Sequence, residues 1–222
     1  MSDLSILEQG IYRLALVLPG LLLAIVLHEV AHAYVAYRFG DSTAKDEGRI
    51  TLNPISHLDL VGSVIFPLIL IFANLGVYGW AKPVPINQRN FKEYKKSVFW
   101  VSFAGPLANF FVMIVCAFFY AVVKGGAFAG MYFSQPLSDM LLQAVQINVV
   151  IGTFNLLPFP PLDGSKMLMT FLSYDAQRKY EELSRFSLII FIILILTGAL
   201  NYVFYPAFMF AEFVLQIFLK IV

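Results

Sequence analysis

The sequence contains few charged residues for its length. Asp, Glu, Lys and Arg make up 13% of its 222 residues, which is about half the charged fraction of an average soluble domain. Hydrophobic residues make up 59%, and several apolar runs reach the roughly 20 residues that a helix needs to cross a bilayer. This composition excludes a typical soluble domain and indicates a polytopic membrane protein.

The sequence also contains a single cysteine and carries almost no net charge. The single cysteine, Cys116, cannot form an intrachain disulfide, and its position inside an apolar run argues against a reactive thiol. The formal net charge of +1 excludes the basic footprint that a nucleic-acid-binding protein carries. The first residues are not basic and no small-residue cleavage site follows the first apolar run, so we expect no cleaved signal peptide.

The apolar runs predict an all-α fold with about five transmembrane helices. They cover residues 11–39, 98–123, 139–157, 186–200 and 203–221. A further apolar segment, residues 61–79, is broken by Pro67, Asn74, Gly76 and Gly79, which favours a re-entrant segment over a span. Before it, the turn KDEG and the run RITLN predict a short β element near residues 46–55. No internal repeat is present, so we expect one domain over residues 1–222.

The distribution of basic residues also favours a re-entrant segment at residues 61–79. In that arrangement Lys and Arg gather on one side of the membrane, and only Arg13 and Lys124 lie on the other. If the segment spans instead, the minority side holds Arg38, Lys45, Arg49 and Lys124. The positive-inside rule favours the sharper asymmetry and assigns the basic side to the cytosol.

Two of the three histidines lie in the stretch LHEVAHAY, inside an apolar run. In a helix, positions i and i+4 share a face, so His28 and His32 point the same way with Glu29 beside them. HExxH is the pattern of zinc hydrolases, in which two imidazoles bind the metal and the glutamate handles a water proton. The alternative is a pair of core histidines satisfied by hydrogen bonds. Burying three ionisable groups at membrane depth without a function costs a few kcal/mol each, which disfavours that alternative.

A catalytic zinc takes three protein ligands and keeps one open position, so a third ligand is required. The remaining candidates are His57, Asp59 and Asp163. Asp163 follows FNLLPFPPL, whose prolines stop a helix and leave irregular backbone. Such backbone is tolerated at membrane depth only beside protein or water, where a carboxylate can meet a metal. Equally, Asp163 could cap the helix that begins at Gly164.

Three motifs together resemble the site-2 protease family of intramembrane zinc metallopeptidases. They are HEVAH (28–32), FAGPLAN (103–109) and NLLPFPPLDG (155–164), and they occur in the order typical of that family. The resemblance implies one zinc per chain, with His28, His32 and Asp163 as ligands and Glu29 as general base. It also implies that Asn155 lines the site and contacts the substrate or the oxyanion.

The resemblance extends to organisation and location. It implies a single intramembrane metalloprotease domain with a catalytic core at about residues 11–164, followed by C-terminal helices at 186–221. The chain has no room for an inserted PDZ domain and looks like a compact prokaryotic branch of the family. We expect a multi-pass protein of the cell membrane with its active site near the cytosolic face. The expected partners are the lipid bilayer and transmembrane protein substrates, not nucleic acid.

Several side chains keep two interpretations at the level of sequence. His57 is either an active-site residue, as a reserve metal ligand or a substrate contact, or a turn histidine bonded near Asp59. Asn109 and Asn148 are expected to form hydrogen bonds between helices. The run RITLN is a hypothetical edge on which an unwound substrate adds as a strand.

Two other functions remain open from sequence. A membrane helix that bears zinc ligands could belong to a metal-binding or transport protein, because intramembrane ionisable groups also mark ion pathways. A catalytically silent scaffold with an intact site is the other alternative. Glu29 distinguishes a transporter from a protease, since a transporter has no need of a general base.

Overall fold

The computed structural model describes residues 6–72 and 82–222, and helices form the regular structure of those ranges. Nine α-helices occur in the described residues: α1 (Ile6–Arg38), α2 (Thr43–Asp46), α3 (Phe66–Phe72), α4 (Tyr94–Val122), α5 (Ser134–Asn155), α6 (Asp163–Met169), α7 (Tyr174–Leu183), α8 (Ser187–Leu196) and α9 (Ala199–Ile221). Short 3₁₀ and π turns connect several of them. The all-α prediction is therefore confirmed for this part of the chain.

Four helices of the described residues are long and apolar enough to cross a membrane: α1, α4, α5 and α9. The predicted count of about five is not confirmed, because the apolar run at 186–200 forms only the ten-residue α8. A helix of that length extends about 15 Å, half of the roughly 30 Å hydrocarbon core. Gly198 ends the run by adopting a left-handed conformation with φ of 70°, which separates α8 from α9.

The α1, α4 and α5 helices pack as a compact three-helix unit. The His32 ring bonds the carbonyl oxygen of Val101, and the Asn109 amide bonds that of Ala24, so α1 and α4 are antiparallel. Gly20 lies against α5 so closely that an added Cβ would be 2.7 Å from the Cα of Ala144. Small residues let membrane helices approach in this way. The carboxyl-terminal ends of α1 and α5 consequently lie at the same end of the bundle.

The chain leaves α1 after Arg38 and enters α4 at Tyr94 at that same end of the bundle. Asp41, buried just after α1, accepts hydrogen bonds from the Asn87 amide at 2.7 Å and from the Asn90 side chain at 2.8 Å. Burial would raise the pKa of Asp41, but these bonds and those from Thr43 hold it below its usual range. A re-entrant segment at residues 61–79 requires that α1 ends and α4 begins on the same side of the membrane, as they do here. Residues 73–79 lie outside the described residues, so the prediction stays open there.

The β element predicted near residues 46–55 is not formed. Residues 47–53 are turns and bends that lead into a 3₁₀ turn at Pro54–His57. Ile50 packs against a cluster that contains Val84, and on either side of Val84 Pro83 and Pro85 lack the N–H groups that a strand ladder needs. The hypothesis of substrate addition to a strand at RITLN consequently loses its structural basis.

The main hydrophobic core lies between α4, α5 and α9. Its buried side chains include Val112, Met113, Val145, Val149 and Leu215. These residues hold the helices in fixed register, which matters because the candidate site draws its side chains from α1, α4 and the segment after α5.

Candidate metal centre

Three potential metal ligands converge at one point in the bundle. The Nε2 atom of His32 lies 3.0 Å from the Nε2 atom of His28 and 3.0 Å from Oδ2 of Asp163. The Nε2 atom of His28 lies 3.3 Å from the same carboxylate oxygen. All three side chains are buried. Among the described residues they form the group of His, Cys, Asp and Glu side chains that could hold a metal ion.

The size of this triangle fits a tetrahedral metal. With bonds of about 2.0–2.1 Å to nitrogen and oxygen, two ligands of a tetrahedral zinc lie about 3.3 Å apart. The three distances of 3.0, 3.0 and 3.3 Å are close to that edge length. Two neutral imidazoles and one carboxylate are also a donor set that catalytic zinc sites use. The residues present therefore fit a zinc ion with one position left for water or substrate.

Hydrogen bonds on the far side of each imidazole set its tautomer. The Nδ1 atom of His28 lies 2.7 Å from Oδ1 of Asn109, and the Nδ1 atom of His32 lies 2.6 Å from the carbonyl oxygen of Val101. Both oxygens are acceptors, so each Nδ1 carries the proton and donates it. The Nε2 atoms are left with free lone pairs that point at the shared centre, as metal binding requires.

Asn109 is itself held in orientation by a buried relay. Its Nδ2 group donates to the carbonyl oxygen of Ala24 at 3.1 Å and to Oδ1 of Asn148 at 3.0 Å. Asn148 in turn donates to the carbonyl oxygen of Ala144 at 2.8 Å. A backbone carbonyl only accepts, so both amide groups have a fixed orientation and Oδ1 of Asn109 must face His28. Neither asparagine has any exposed surface.

Asp163 reaches the centre from the first position of α6. The residue before it, Leu162, is extended and provides no side-chain cap, and the Asp163 carboxylate is directed at the imidazoles. Asp163 is therefore the first residue of α6 and does not act as its N-cap. A Cβ on Gly164 would overlap the carbonyl oxygen of Leu156 and lie 2.6 Å from that of Leu157, so only glycine allows this close turn.

The electrostatic surroundings keep Asp163 ionised. Burial alone would raise its pKa, and the positive charge of Lys166 opposes this effect by favouring the ionised carboxylate. Lys166 contacts Oδ1 at 3.0 Å, whereas Oδ2 faces the imidazoles. One oxygen is thus reserved for the metal, which favours single-oxygen ligation.

Glu29 lies beside the cluster on α1 and is half-buried. Its Oε2 atom accepts a hydrogen bond of 2.9 Å from the backbone amide of Val84. The segment that carries Val84 is anchored by Arg49, a buried guanidinium that donates to the carbonyl oxygen of Lys82 at 2.8 Å. The carboxylate is therefore held in one orientation by a backbone group from a distant part of the sequence.

The other sequence candidates lie apart from the three-ligand group. His57 is fully buried, and its Nε2 group donates to the carbonyl oxygen of Thr51 at 2.9 Å, while Nδ1 has no hydrogen-bond partner among the described residues. Asp59 accepts a bond from the amide of Gly62. Asn155 donates to the carbonyl oxygen of Ile151 in its own helix. Of the three third-ligand candidates, Asp163 is the one that the structure brings within 3.3 Å of both imidazole Nε2 atoms.

Three participants were not identified from the sequence. Lys166 and the Val84 amide are set by tertiary contacts, and no sequence pattern marks them. Gly105 carried a possible signal, because it occurs in FAGPLAN, but that motif entered only as part of the family resemblance and assigned Gly105 no role. In the structure Gly105 lies directly against the imidazoles, where an added Cβ would be 2.6 Å from Nε2 of His28.

We expect Asn109→Leu to weaken zinc binding about 10- to 100-fold, the usual effect of removing a partner of a ligating histidine. The leucine leaves the Nδ1–H group of His28 buried without an acceptor. Asn148→Leu should have a smaller effect, because Asn148 acts only through Asn109. Zinc affinity is measured by competition with a chromophoric chelator. Ser138→Ala, which changes a buried side chain without a hydrogen-bond partner, is the matched control. An unchanged zinc affinity in folded Asn109→Leu would contradict the relay.

Comparisons with known proteins agree with this geometry. The model of Peptidase family M50 matches residues 126–198. The chain is 39% identical over 188 residues to "Putative zinc metalloprotease YwhC" of Bacillus subtilis (strain 168), covering 84% of this chain and 82% of that protein. It is 30% identical over 191 residues to "Putative zinc metalloprotease Rip2" of Mycolicibacterium smegmatis, covering 84% and 68%. No solved structure matched the chain. The chain therefore belongs to peptidase family M50, the site-2 protease family of membrane-embedded zinc metalloproteases.

Proposed function

We propose that this protein is an intramembrane zinc metalloendopeptidase that hydrolyses peptide bonds within or near transmembrane segments of other membrane proteins. The observation that carries the proposal is the position of the three-ligand group. Its two histidines lie within α1, a helix apolar enough to cross a membrane, and they are buried between α1 and α4. A proton-accepting carboxylate, Glu29, lies next to them on the same helix.

Each residue of the site has a defined task in this proposal. His28, His32 and Asp163 hold one zinc ion per chain. Bound zinc would supply Lewis acidity, which acidifies water and polarises a carbonyl group. Glu29 acts as the general base that takes the water proton and returns it to the leaving amine. The Val84 amide engages Oε2, so Oε1 is the oxygen that we expect to receive the proton.

The substrate side of the site is proposed from Asn155 and His57. One amide hydrogen of Asn155 bonds its own helix, and the second can donate to the substrate or to a developing oxyanion. The Nδ1 atom of His57 is a buried acceptor without a partner, which a substrate N–H group could satisfy. A helical substrate hides its peptide bonds in hydrogen bonds, so it must unwind locally before it can occupy the site.

The proposed location is the cell membrane, with several spans and the active site near the cytosolic face. Basic side chains gather at the end of the bundle where α1 finishes and α4 begins, at Arg38, Lys45, Arg49, Lys92 and Lys95. The positive-inside rule assigns that end to the cytosol. Water and a cleaved product can then exchange with the cytosol without crossing the whole bilayer.

The test combines metal analysis, cleavage and metal removal. The protein is purified in detergent, its zinc is quantified, and it is incubated with a panel of model transmembrane peptides whose products are identified by mass spectrometry. We expect about one zinc per chain and cleavage that a strong chelator abolishes and added zinc restores. A metal-free protein would overturn the assignment of the ligands. Bound zinc without cleavage of any peptide would favour the metal transport protein or the silent scaffold.

A further inference from the structure

Helix α9 exposes two polar side chains in the middle of an apolar span. Glu212 and Gln216 are both exposed, and the hydrogen bond that each makes is with the other, from Nε2 of Gln216 to Oε1 of Glu212 at 3.1 Å. No described residue of another helix bonds either of them. An adjoining face of α9 packs into the core through Ala211 and Leu215.

The depth of this pair follows from the register of α9 against α4. The rings of Phe118 and Phe218 are in edge contact, with centroids 5.5 Å apart. A Cβ added to Gly125 would lie 2.9 Å from Val222. The two helices are therefore parallel, and Glu212 is level with the centre of α4. A carboxyl group facing lipid at that depth is among the least favourable placements for any side chain, so this face must be covered.

The residues around the pair form a regular stripe. Tyr205, Met209, Glu212, Gln216 and Leu219 recur at alternating spacings of four and three residues. Tyr205, Met209 and Leu219 are 64%, 56% and 46% exposed. Alternating spacings of this kind place side chains along one seam, as in a left-handed pair of parallel helices. We refer to these five residues as the α9 stripe.

We propose that the α9 stripe is the contact surface between two copies of this chain. Two copies inserted in the same direction are related by a twofold axis along the membrane normal, which puts the same stripe residues opposite each other. The pair is self-complementary there: the second amide hydrogen of Gln216 can reach the Glu212 carboxyl group of the other copy. A partner helix of a different protein would have to bring polar groups of its own at the same depth.

The arrangement of the dimer can be tested by cysteine cross-linking in native membranes. The wild type contains one cysteine, Cys116, which is 4% exposed. Its cross-linking gives the background level. We expect Met209→Cys and Leu219→Cys to cross-link efficiently between copies, because both replacements leave Glu212 and Gln216 in place. Phe210→Cys and Ile217→Cys are the matched controls. Both residues are exposed, but they lie about 100° or more around the helix from the centre of the stripe, so they should cross-link at background level.

The energetic role of the polar pair is tested by a double replacement. The dimer fraction is measured in lipid by single-molecule photobleaching across a range of protein-to-lipid ratios. Glu212→Leu combined with Gln216→Leu should raise the dissociation constant about tenfold or more, whereas Phe210→Leu should leave it unchanged. Retained zinc content shows that each variant keeps its bundle and separates failure of this inference from failure of the site. A monomeric wild type, equal cross-linking on all faces, or a dimer unaffected by the double replacement would overturn the proposal.

Discussion

Replacing Glu29 with glutamine should leave the zinc content unchanged and lower peptide cleavage about 10²- to 10⁴-fold, the usual contribution of a general base. Glutamine has nearly the same size and shape as glutamate. Its carbonyl oxygen can still accept the hydrogen bond that Val84 donates at 2.9 Å, so the side chain can keep its place. It cannot accept a proton at neutral pH, and that is the property the variant removes.

The measurement compares zinc per chain and cleavage rate in wild type, Glu29→Gln and Glu93→Gln. Glu93 is a suitable control because it is exposed at the start of α4 and pairs with Lys96, also on the surface. We expect Glu93→Gln to behave like the wild type. Wild-type cleavage by Glu29→Gln would exclude Glu29 as the base and favour another proton acceptor. Loss of zinc from Glu29→Gln would indicate a structural role instead.

The part of the site that sequence predicts is the part that helix geometry determines. His28, Glu29 and His32 are placed relative to one another by the helical repeat alone, because i and i+4 positions share a face. Once the chain is assigned to a helix there, their mutual arrangement follows without tertiary information. The family resemblance adds Asp163, which the structure brings within 3.3 Å of both imidazole Nε2 atoms.

The parts that sequence did not predict depend on contacts between distant residues. The bond from Val84 to Glu29 joins residues 55 positions apart, and the bond from His28 to Asn109 joins residues 81 positions apart. No periodic pattern encodes such pairings. The span predicted at 186–200 is not confirmed, since apolar content does not reveal the left-handed Gly198 that separates the ten-residue α8 from α9.

The predicted β element shows a different limit. RITLN has strand-forming residues, but a strand needs a partner with free N–H groups. In the neighbouring segment Pro83 and Pro85 have no N–H group to donate. The carbonyl groups of Lys82 and Pro83 accept hydrogen bonds from the Arg49 side chain, so a strand at RITLN does not use them. Local propensity was therefore overridden by the composition of a segment more than thirty residues later in the sequence.

We expect Gly105→Ala to abolish zinc binding, with less than about a tenth of the chains retaining the metal. The added methyl group would overlap Nε2 of His32 and lie 2.6 Å from Nε2 of His28, and these are the atoms that face the metal. The rings have little room to withdraw, since the Val101 carbonyl oxygen holds His32 at 2.6 Å and Asn109 holds His28 at 2.7 Å. Overpacking of a buried site costs about 1–3 kcal/mol, so the fold should survive.

The experiment measures zinc per chain and thermal stability for Gly105→Ala beside Gly125→Ala. In the control, the added Cβ meets a methyl group of the Val222 side chain at 2.9 Å, which can rotate away, and no metal ligand is near. Alanine is otherwise favoured over glycine in a helix by up to about 1 kcal/mol, so helix propensity cannot explain a loss in only one variant. Full zinc occupancy in Gly105→Ala would mean that the imidazoles bind metal in a different position. Loss of zinc in both variants would indicate general unfolding, whereas loss in Gly105→Ala alone would place the metal against the glycine face of α4.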